Sequence, residues 1–311
     1  MNFNQLIEEA TQQNKQTIAI AAAADPDILE AVAKAINVGL AKFLLFGNQA
    51  RIEDILNENH LGLIEKPEIK IIHTASNEEA AFSAVKAVRD KKAGVLMKGN
   101  LSTSIILKAI LNKENGLRSG KILSHVAVFE VPNYKKWILL TDAAMNIAPD
   151  LEQKAEIIKN AVLIANAIGI PMPKVAPLAA VEVVNPAMGA TLDAAILTQM
   201  NRRGQIPNCI VDGPLALDNA ISALAAKHKG VAGEVAGNAD ILLVPAIEVG
   251  NVLYKSLVYF ANAKVGAVLA GATAPIVLTS RTDSAESKLY SLALAVGTAT
   301  NLYDNGNLGR K

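Results

Sequence analysis

The chain has 311 residues, enough to bury a large core and more naturally two lobes than one. Its 30 basic and 29 acidic residues leave a net charge of +1, so no field draws it to nucleic acid or to an anionic membrane. Hydrophobic content is 51%, yet the long uncharged runs 160–173 and 265–280 are broken by Gly or Pro and fall short of a membrane span.

The start, MNFNQLIEEATQQNKQ, is polar and acidic rather than a secretory signal, and the single Cys209 cannot close an internal disulfide. These features predict a soluble cytoplasmic protein.

After a first helix, Thr17–Ala23 is an apolar run, and Asp25-Pro26-Asp27 opens a helix over Ile28–Val38, with Pro just inside its start. A strand at Lys42–Phe46 closes on Gly47-Asn48, which makes a β-α-β unit without the GxGxxG of a nicotinamide site. The alternation continues with helices near Gln49–Asn57 and Ser76–Asp90 and strands at Glu68–His73 and Ala93–Met97. The first lobe is therefore α/β.

Next comes MKGNLSTS, a strand-to-helix turn in which Gly99 permits close backbone approach. Lys98 can neutralise a phosphate oxygen, Thr103 and Ser104 supply hydroxyls, and Lys108 stands one helical turn beyond Ser104. The same residues also read as a capped helix with two solvated lysines.

The pattern changes near Gly116–Gly120: Ser124–Val131 and Lys136–Leu140 form an antiparallel hairpin, with Trp137 as packing. Thr141–Asn146 ends a strand, before a helix over Leu151–Ile168 and a strand at Lys174–Ala180. Helices over Thr191–Arg203 and Ala216–Lys227 flank Ile210-Val211 and the turn Asp212-Gly213-Pro214. A strand at Ala239–Pro245 leads through a loop with Glu248 to a helix over Val252–Ala261.

Val265–Gly271 and Pro275–Leu278 stand too close for a full crossover helix, so the chain is expected to return to the first lobe between Ala270 and Pro275. That makes 1–121 plus 275–311 one discontinuous domain and 122–274 the other, with the final helix on the first lobe and the Arg281 turn at the interlobe cleft.

The stretch PIVLTSRTDSAESKLYSLALA, 275–295, reads as strand, polar turn, helix. The helix start aims unpaired N–H groups at the turn, Arg281 adds a planar fork of donors, and Ser280 and Ser284 add hydroxyls, so the turn can hold phosphate. Equally, Asp283 and Glu286 stand in capping-box spacing, and Ser284 is itself a good cap. The four histidines show no metal-ligand spacing.

Taken together, MKGNLSTSIILKAIL, TDAAMNIAPDLEQKAEI, VDGPLALDNAIS, VPAIEVGNVLYKSLVYFANA and the 275–295 stretch resemble the phosphate acetyltransferase and phosphate butyryltransferase family, closest to its butyryltransferase branch. The resemblance implies a two-lobed α/β fold of the isocitrate/isopropylmalate dehydrogenase kind, a homodimer, and acyl transfer between coenzyme A and inorganic phosphate in the interlobe cleft. It casts coenzyme A as a substrate, with no tightly bound cofactor and no metal.

Ser280 and Arg281 match the family's Ser-Arg pair, with roles at the thiol and the phosphate, and Thr103 and Ser104 match its hydroxyl-bearing phosphate turn. Lys108 stands where the family usually has Arg, which keeps charge and loses bidentate geometry. Ser287 stands where the acetyltransferases carry an aspartate that takes the thiol proton, so Asp283 or Glu286 must serve if a carboxylate is needed.

The expected catalytic set is Ser280, Arg281, Asp283 and Glu286, with Lys98, Gly99, Thr103, Ser104, Lys108 and Ser284 binding substrate. A butyryl or branched acyl group is the expected cargo. The alternatives are a phosphate acetyltransferase, a non-catalytic coenzyme A or phosphate-binding relative, and a metal-dependent decarboxylating dehydrogenase on the same fold.

Overall fold

The computed structural model describes residues 2–12, 15–119, 121–279 and 283–303. By packing, the chain divides into two compact units, one of 2–121 with the segment from Gly266 onward, the other Ile122–Val265.

The first unit begins with α1 (Phe3–Gln12), then alternates β1 (Gln16–Ala21), α2 (Pro26–Asn37), β2 (Ala41–Gly47), α3 (Gln49–Asn59), β3 (Ile69–His73), α4 (Asn77–Arg89), β4 (Val95–Lys98) and α5 (Thr103–Ile110). Helix α2 shows why these residues fold locally. Asp25 accepts the Ile28 N–H at 3.1 Å, and Pro26 fills the first turn, where its missing N–H costs nothing. Ile28, Leu29, Val32 and Ile36 are buried, and Gly39 ends the run at φ +75°.

In this unit the strands lie in the order β3-β2-β1-β4-β11-β10, where β10 is Lys264–Ala270 and β11 is Ile276–Val277. Pairing is parallel from β3 to β11 and antiparallel between β11 and β10. Because β10 pairs with β11, residues from Gly266 pack with the first unit, whereas the sequence reading drew that return near Pro275. The last helix, α11 (Ala285–Tyr303), packs here too: Tyr290 stacks on Phe3 of α1 at 4.3 Å between ring centroids, and Ser291 Oγ accepts the Ala267 N–H.

The second unit carries β5 (Ser124–Glu130), β6 (Ile138–Thr141), α6 (Leu151–Ala167), β7 (Lys174–Pro177), α7 (Gly189–Arg202), β8 (Ile210–Val211), α8 (Leu217–Ile221), α9 (Ala223–His228), β9 (Ile241–Leu243) and α10 (Ile247–Tyr259). Its strand order is β5-β6-β9-β7-β8, with the expected antiparallel hairpin between β5 and β6 and parallel pairing elsewhere.

Two expectations need correction. The helix expected over Ala216–Lys227 is broken at Ser222, whose extended backbone lets its hydroxyl accept the Ala225 N–H and cap a new helix. The residues expected as a loop around Glu248 already belong to α10, whose first turn contains Glu248. Among the described residues, no helix is long and apolar enough to cross a membrane.

Candidate active site

The turn after β4 is tightly built. All four β4 residues are buried, including Lys98, and its ammonium donates to the Gly99 and Leu101 carbonyls at 3.1 Å each. A lysine expected to reach for phosphate thus also clamps its own turn.

Gly99 is needed for space rather than for an unusual φ. Its N–H reaches the Ala21 carbonyl at 2.8 Å, and a Cβ there would stand 2.2 Å from the Ala22 oxygen. Ser102, which sequence reasoning passed over, caps α5 by accepting the Ile105 N–H and shares a 2.9 Å hydrogen bond with Ser104 Oγ. Thr103, Ser104 and Lys108 are exposed on that helix, and Ser104 and Lys108 share a face.

The second turn precedes α11. Ser280 and Arg281 lie outside the described residues, which resume at Asp283. β11 pairs parallel to β4, Val277 opposite Met97, so the chain leaves both strands at the same end of the sheet and from adjacent positions. The turn carrying Lys98, Gly99, Thr103 and Ser104 therefore leaves the sheet beside the end of β11.

At the start of α11, Ser284 is the residue that caps. Its Oγ accepts the Ser287 N–H at 3.1 Å and meets the Ser287 hydroxyl at 3.2 Å. The capping-box spacing of Asp283 and Glu286 is not used that way: the half-buried Asp283 offers its carbonyl to Lys288 Nζ, and the exposed Glu286 carboxylate accepts the Tyr290 hydroxyl.

Lys288 is only 2% exposed and was not foreseen. The one hint in the sequence is the apolar character of α11 on all sides, which leaves a charged residue there little route to water.

In the second unit the turn after β6 is organised by Asp142, itself 2% exposed. Its carboxylate accepts the backbone N–H groups of His125, Ala144 and Met145 and the Asn146 side-chain amide, at 2.6–3.1 Å. Gly250 of α10 lies against this turn so closely that a Cβ would be 2.6 Å from the Asp142 carbonyl oxygen. With four donors on its oxygens, Asp142 holds backbone in place.

Cys209 is buried, and desolvation pushes its thiol up to about 11, the opposite of an activated nucleophile. No cluster of three or more His, Cys, Asp or Glu residues is placed to hold a metal ion among the described residues.

Comparison with known proteins adds independent findings. The family model "Phosphate acetyl/butaryl transferase" matches residues 2–81 and 65–296. A probable phosphate butyryltransferase of Bacillus subtilis (strain 168) is 54% identical, covering 95% of this chain and 97% of its own. A phosphate butyryltransferase of Clostridium acetobutylicum is 48% identical, covering 96% and 99% respectively. Among solved structures, a branched-chain phosphotransacylase from Enterococcus faecalis V583 superposes with a TM-score of 0.81 at 40% identity, over 91% of this chain and 99% of that one. The fold is of the isocitrate/isopropylmalate dehydrogenase type.

Proposed function

The chain belongs to the phosphate acetyl/butyryl transferase family and is a phosphate acyltransferase, and from that premise we propose that it moves a butyryl or branched short acyl group between coenzyme A and inorganic phosphate. In the forward direction a phosphate oxygen attacks the thioester carbonyl carbon. The carbon–sulfur bond breaks, the thiolate takes a proton, and acyl phosphate and coenzyme A leave. Two polyanions must approach each other, so the protein's main task is to position cations and donors around them.

The observation that carries this reading is the parallel register of β4 and β11, which supports a single binding edge for both turns. In this scheme Arg281 grips phosphate as a fork. Thr103, Ser104 and Lys108 line the other side of the anion, and Gly99 keeps the backbone close enough for Lys98 to lend its charge.

Ser280 hydrogen-bonds the sulfur or the developing oxyanion. Asp283 or Glu286 exchanges the proton with the thiol, whose ordinary pKa near 8.5 demands only modest help. Ser284 accepts the Ser287 N–H as the helix cap and donates its O–H to the Ser287 hydroxyl, a partner that it would exchange for a substrate oxygen. No acyl-enzyme is needed, and a raised, buried Cys209 is in keeping with that.

A homodimer also belongs to the proposal. On α10, Val249, Val252 and Tyr259 are 45–67% exposed, the adjoining Phe260 is 88% exposed, and Gly250 is the helix's only buried residue. Such a surface suits a second copy of the chain. The proposed setting is the cytoplasm, with no tightly bound cofactor.

The test is thiol release from acetyl-, propionyl-, butyryl- and isobutyryl-CoA, with and without phosphate. Phosphate-dependent release, fastest with the four-carbon substrates, is the expected outcome. In parallel, Arg281→Ala should lower kcat/KM by at least about a hundredfold with an unchanged unfolding curve, in line with loss of a charge-stabilising donor. Near-normal turnover would remove Arg281 from the site.

A further inference from the structure

Lys288 is a buried cation that the acyl-transfer scheme leaves unused. It closes the first turn of α11 and is 2% exposed.

Its ammonium reaches back along the helix to donate to the Asp283 carbonyl, while its own backbone N–H donates to the next carbonyl, that of Ser284, at 3.0 Å. Side chains on a helix lean toward its N-terminus, which is the direction this grip needs. One residue therefore holds two consecutive carbonyls at the mouth of α11. The helix that carries it is itself anchored: Tyr290 stacks on Phe3 of α1, and Ser291 Oγ accepts the Ala267 N–H of β10 at 2.9 Å.

A contribution to folding does not account for a lysine at this place. No carboxylate pairs with it among the described residues: Glu30 of α2 takes Lys34 at 2.9 Å, and Glu286 takes the Tyr290 hydroxyl. The ammonium sits at the positive end of the α11 dipole, where a cation is disfavoured. A desolvated charge without a counter-charge is commonly replaced by an apolar side chain of equal volume with no loss of stability. Residues that break local rules in this way concentrate at functional sites.

What Lys288 fastens is the point where the chain arrives from Arg281. Arg281 precedes Asp283 by two residues, so covalent geometry alone keeps the two Cα atoms within about 7 Å of each other. We propose that Lys288 is a positioning residue for phosphate: by tying the Asp283 carbonyl to an anchored helix, it limits where the Arg281 guanidinium can stand. This rests on the acyl-transfer reading and deepens it with a residue that acts through the backbone rather than on the reacting atoms.

The experiment compares the natural chain with Lys288→Met, close to lysine in volume, and Lys288→Arg, which keeps the charge and the donors. The melting temperature of Lys288→Met should be unchanged or raised. In thiol release from butyryl-CoA, with each substrate varied in turn, its KM for phosphate should rise about tenfold and kcat should fall about ten- to a hundredfold, while the KM for butyryl-CoA stays within about twofold. Lys288→Arg should recover most of that loss. Calorimetric titration with inorganic phosphate should show affinity about tenfold weaker in Lys288→Met than in the natural chain.

Kinetic constants of Lys288→Met close to those of the natural chain would overturn the proposal. So would a lowered melting temperature with both KM values raised alike, which would make Lys288 merely structural, or a Lys288→Arg chain that folds normally and recovers nothing. If the natural chain itself releases no thiol, the acyl-transfer reading fails, and the phosphate titration, which needs no turnover, decides on Lys288 alone: weaker binding by Lys288→Met at an undiminished melting temperature supports the positioning role, and equal affinity or no binding by the natural chain overturns it.

Discussion

Replacing Gly99 by Ala is the sharpest probe of how the β4 turn is held. The added Cβ would stand 2.2 Å from the Ala22 oxygen, 2.6 Å from the Ala21 oxygen and 2.8 Å from the Ala22 carbonyl carbon. All three are backbone atoms at or just beyond the end of β1, which is paired with β2 on one side and β4 on the other and has nowhere to retreat. Forced overpacking of this kind costs about 1–3 kcal/mol. Pushing the turn outward also strains two 2.8 Å hydrogen bonds, Gly99 N–H to Ala21 and Asn100 N–H to Ala22, each with a net value of about 1 kcal/mol. The expected loss is therefore about 3–5 kcal/mol, a large part of the ~5–15 kcal/mol available to a folded protein. Urea unfolding followed by circular dichroism should show a lowered midpoint at unchanged slope, and thiol release at a temperature where the variant stays folded should fall as Thr103 and Ser104 are displaced. A loss under about 1 kcal/mol with full turnover would show that the turn yields, and would refute the claim that close backbone approach fixes the phosphate wall.

Other outcomes follow from the same geometry. Asp142→Ala strips partners from four donors and should cost about 3–5 kcal/mol in urea; Asp142→Asn should cost less yet remain destabilising, because an amide nitrogen then faces N–H groups, and a neutral result for both would exclude the clamp. Asp212 has its carboxyl pKa raised, chiefly by burial, so the protonated form favours the fold: that contribution is complete below the unfolded value near 4 and is lost as pH rises through the higher folded value. Asp212→Asn should accordingly be more stable than the natural chain at pH 7, with the gap closing as pH falls toward 4; a gap that widens on acidification would contradict the assignment. Cys209, with its thiol near 11, should carry roughly a hundredfold less thiolate at pH 8 than an ordinary cysteine, so a disulfide reagent should label it slowly in the native protein and fast in urea. Rapid native labelling would place it nearer the surface than described.

Much of this architecture was legible because strand-helix alternation leaves marks that survive without tertiary context. Asp25-Pro26 announced α2, and the short gap between the runs 124–131 and 136–140 announced the β5–β6 hairpin, since caps and tight connections depend on residues close in sequence. The misses share a different origin. Ser222 breaks a helix whose apolar pattern runs straight through it, because its hydroxyl competes for a local N–H. Glu248 looked like a loop residue because the strand-ending Pro245 hides how soon α10 starts.

At the candidate site the residue types were readable and their engagements were not. Lys98 looked like a free cation and is tied to two carbonyls, Ser102 caps where Thr103 drew attention, and Glu286 holds a tyrosine hydroxyl. The burial of Lys288 depends on what long-range packing places around it, which no local pattern encodes.

The position of β11 between β4 and β10 bears on how this polypeptide is born. When the ribosome has delivered everything up to α5, the sheet of the first unit still has β4 as an open edge, and the strand that will cover it is encoded more than 150 residues later. The contiguous second unit emerges complete before that strand is made, so it is free to consolidate first while its predecessor waits half-finished. A nascent chain stalled before Ile276 would therefore present an unpaired β4 edge, apolar at Val95, Leu96 and Met97, to its neighbours, which makes the late arrival of a two-residue strand the step that guards this protein against aggregation during synthesis.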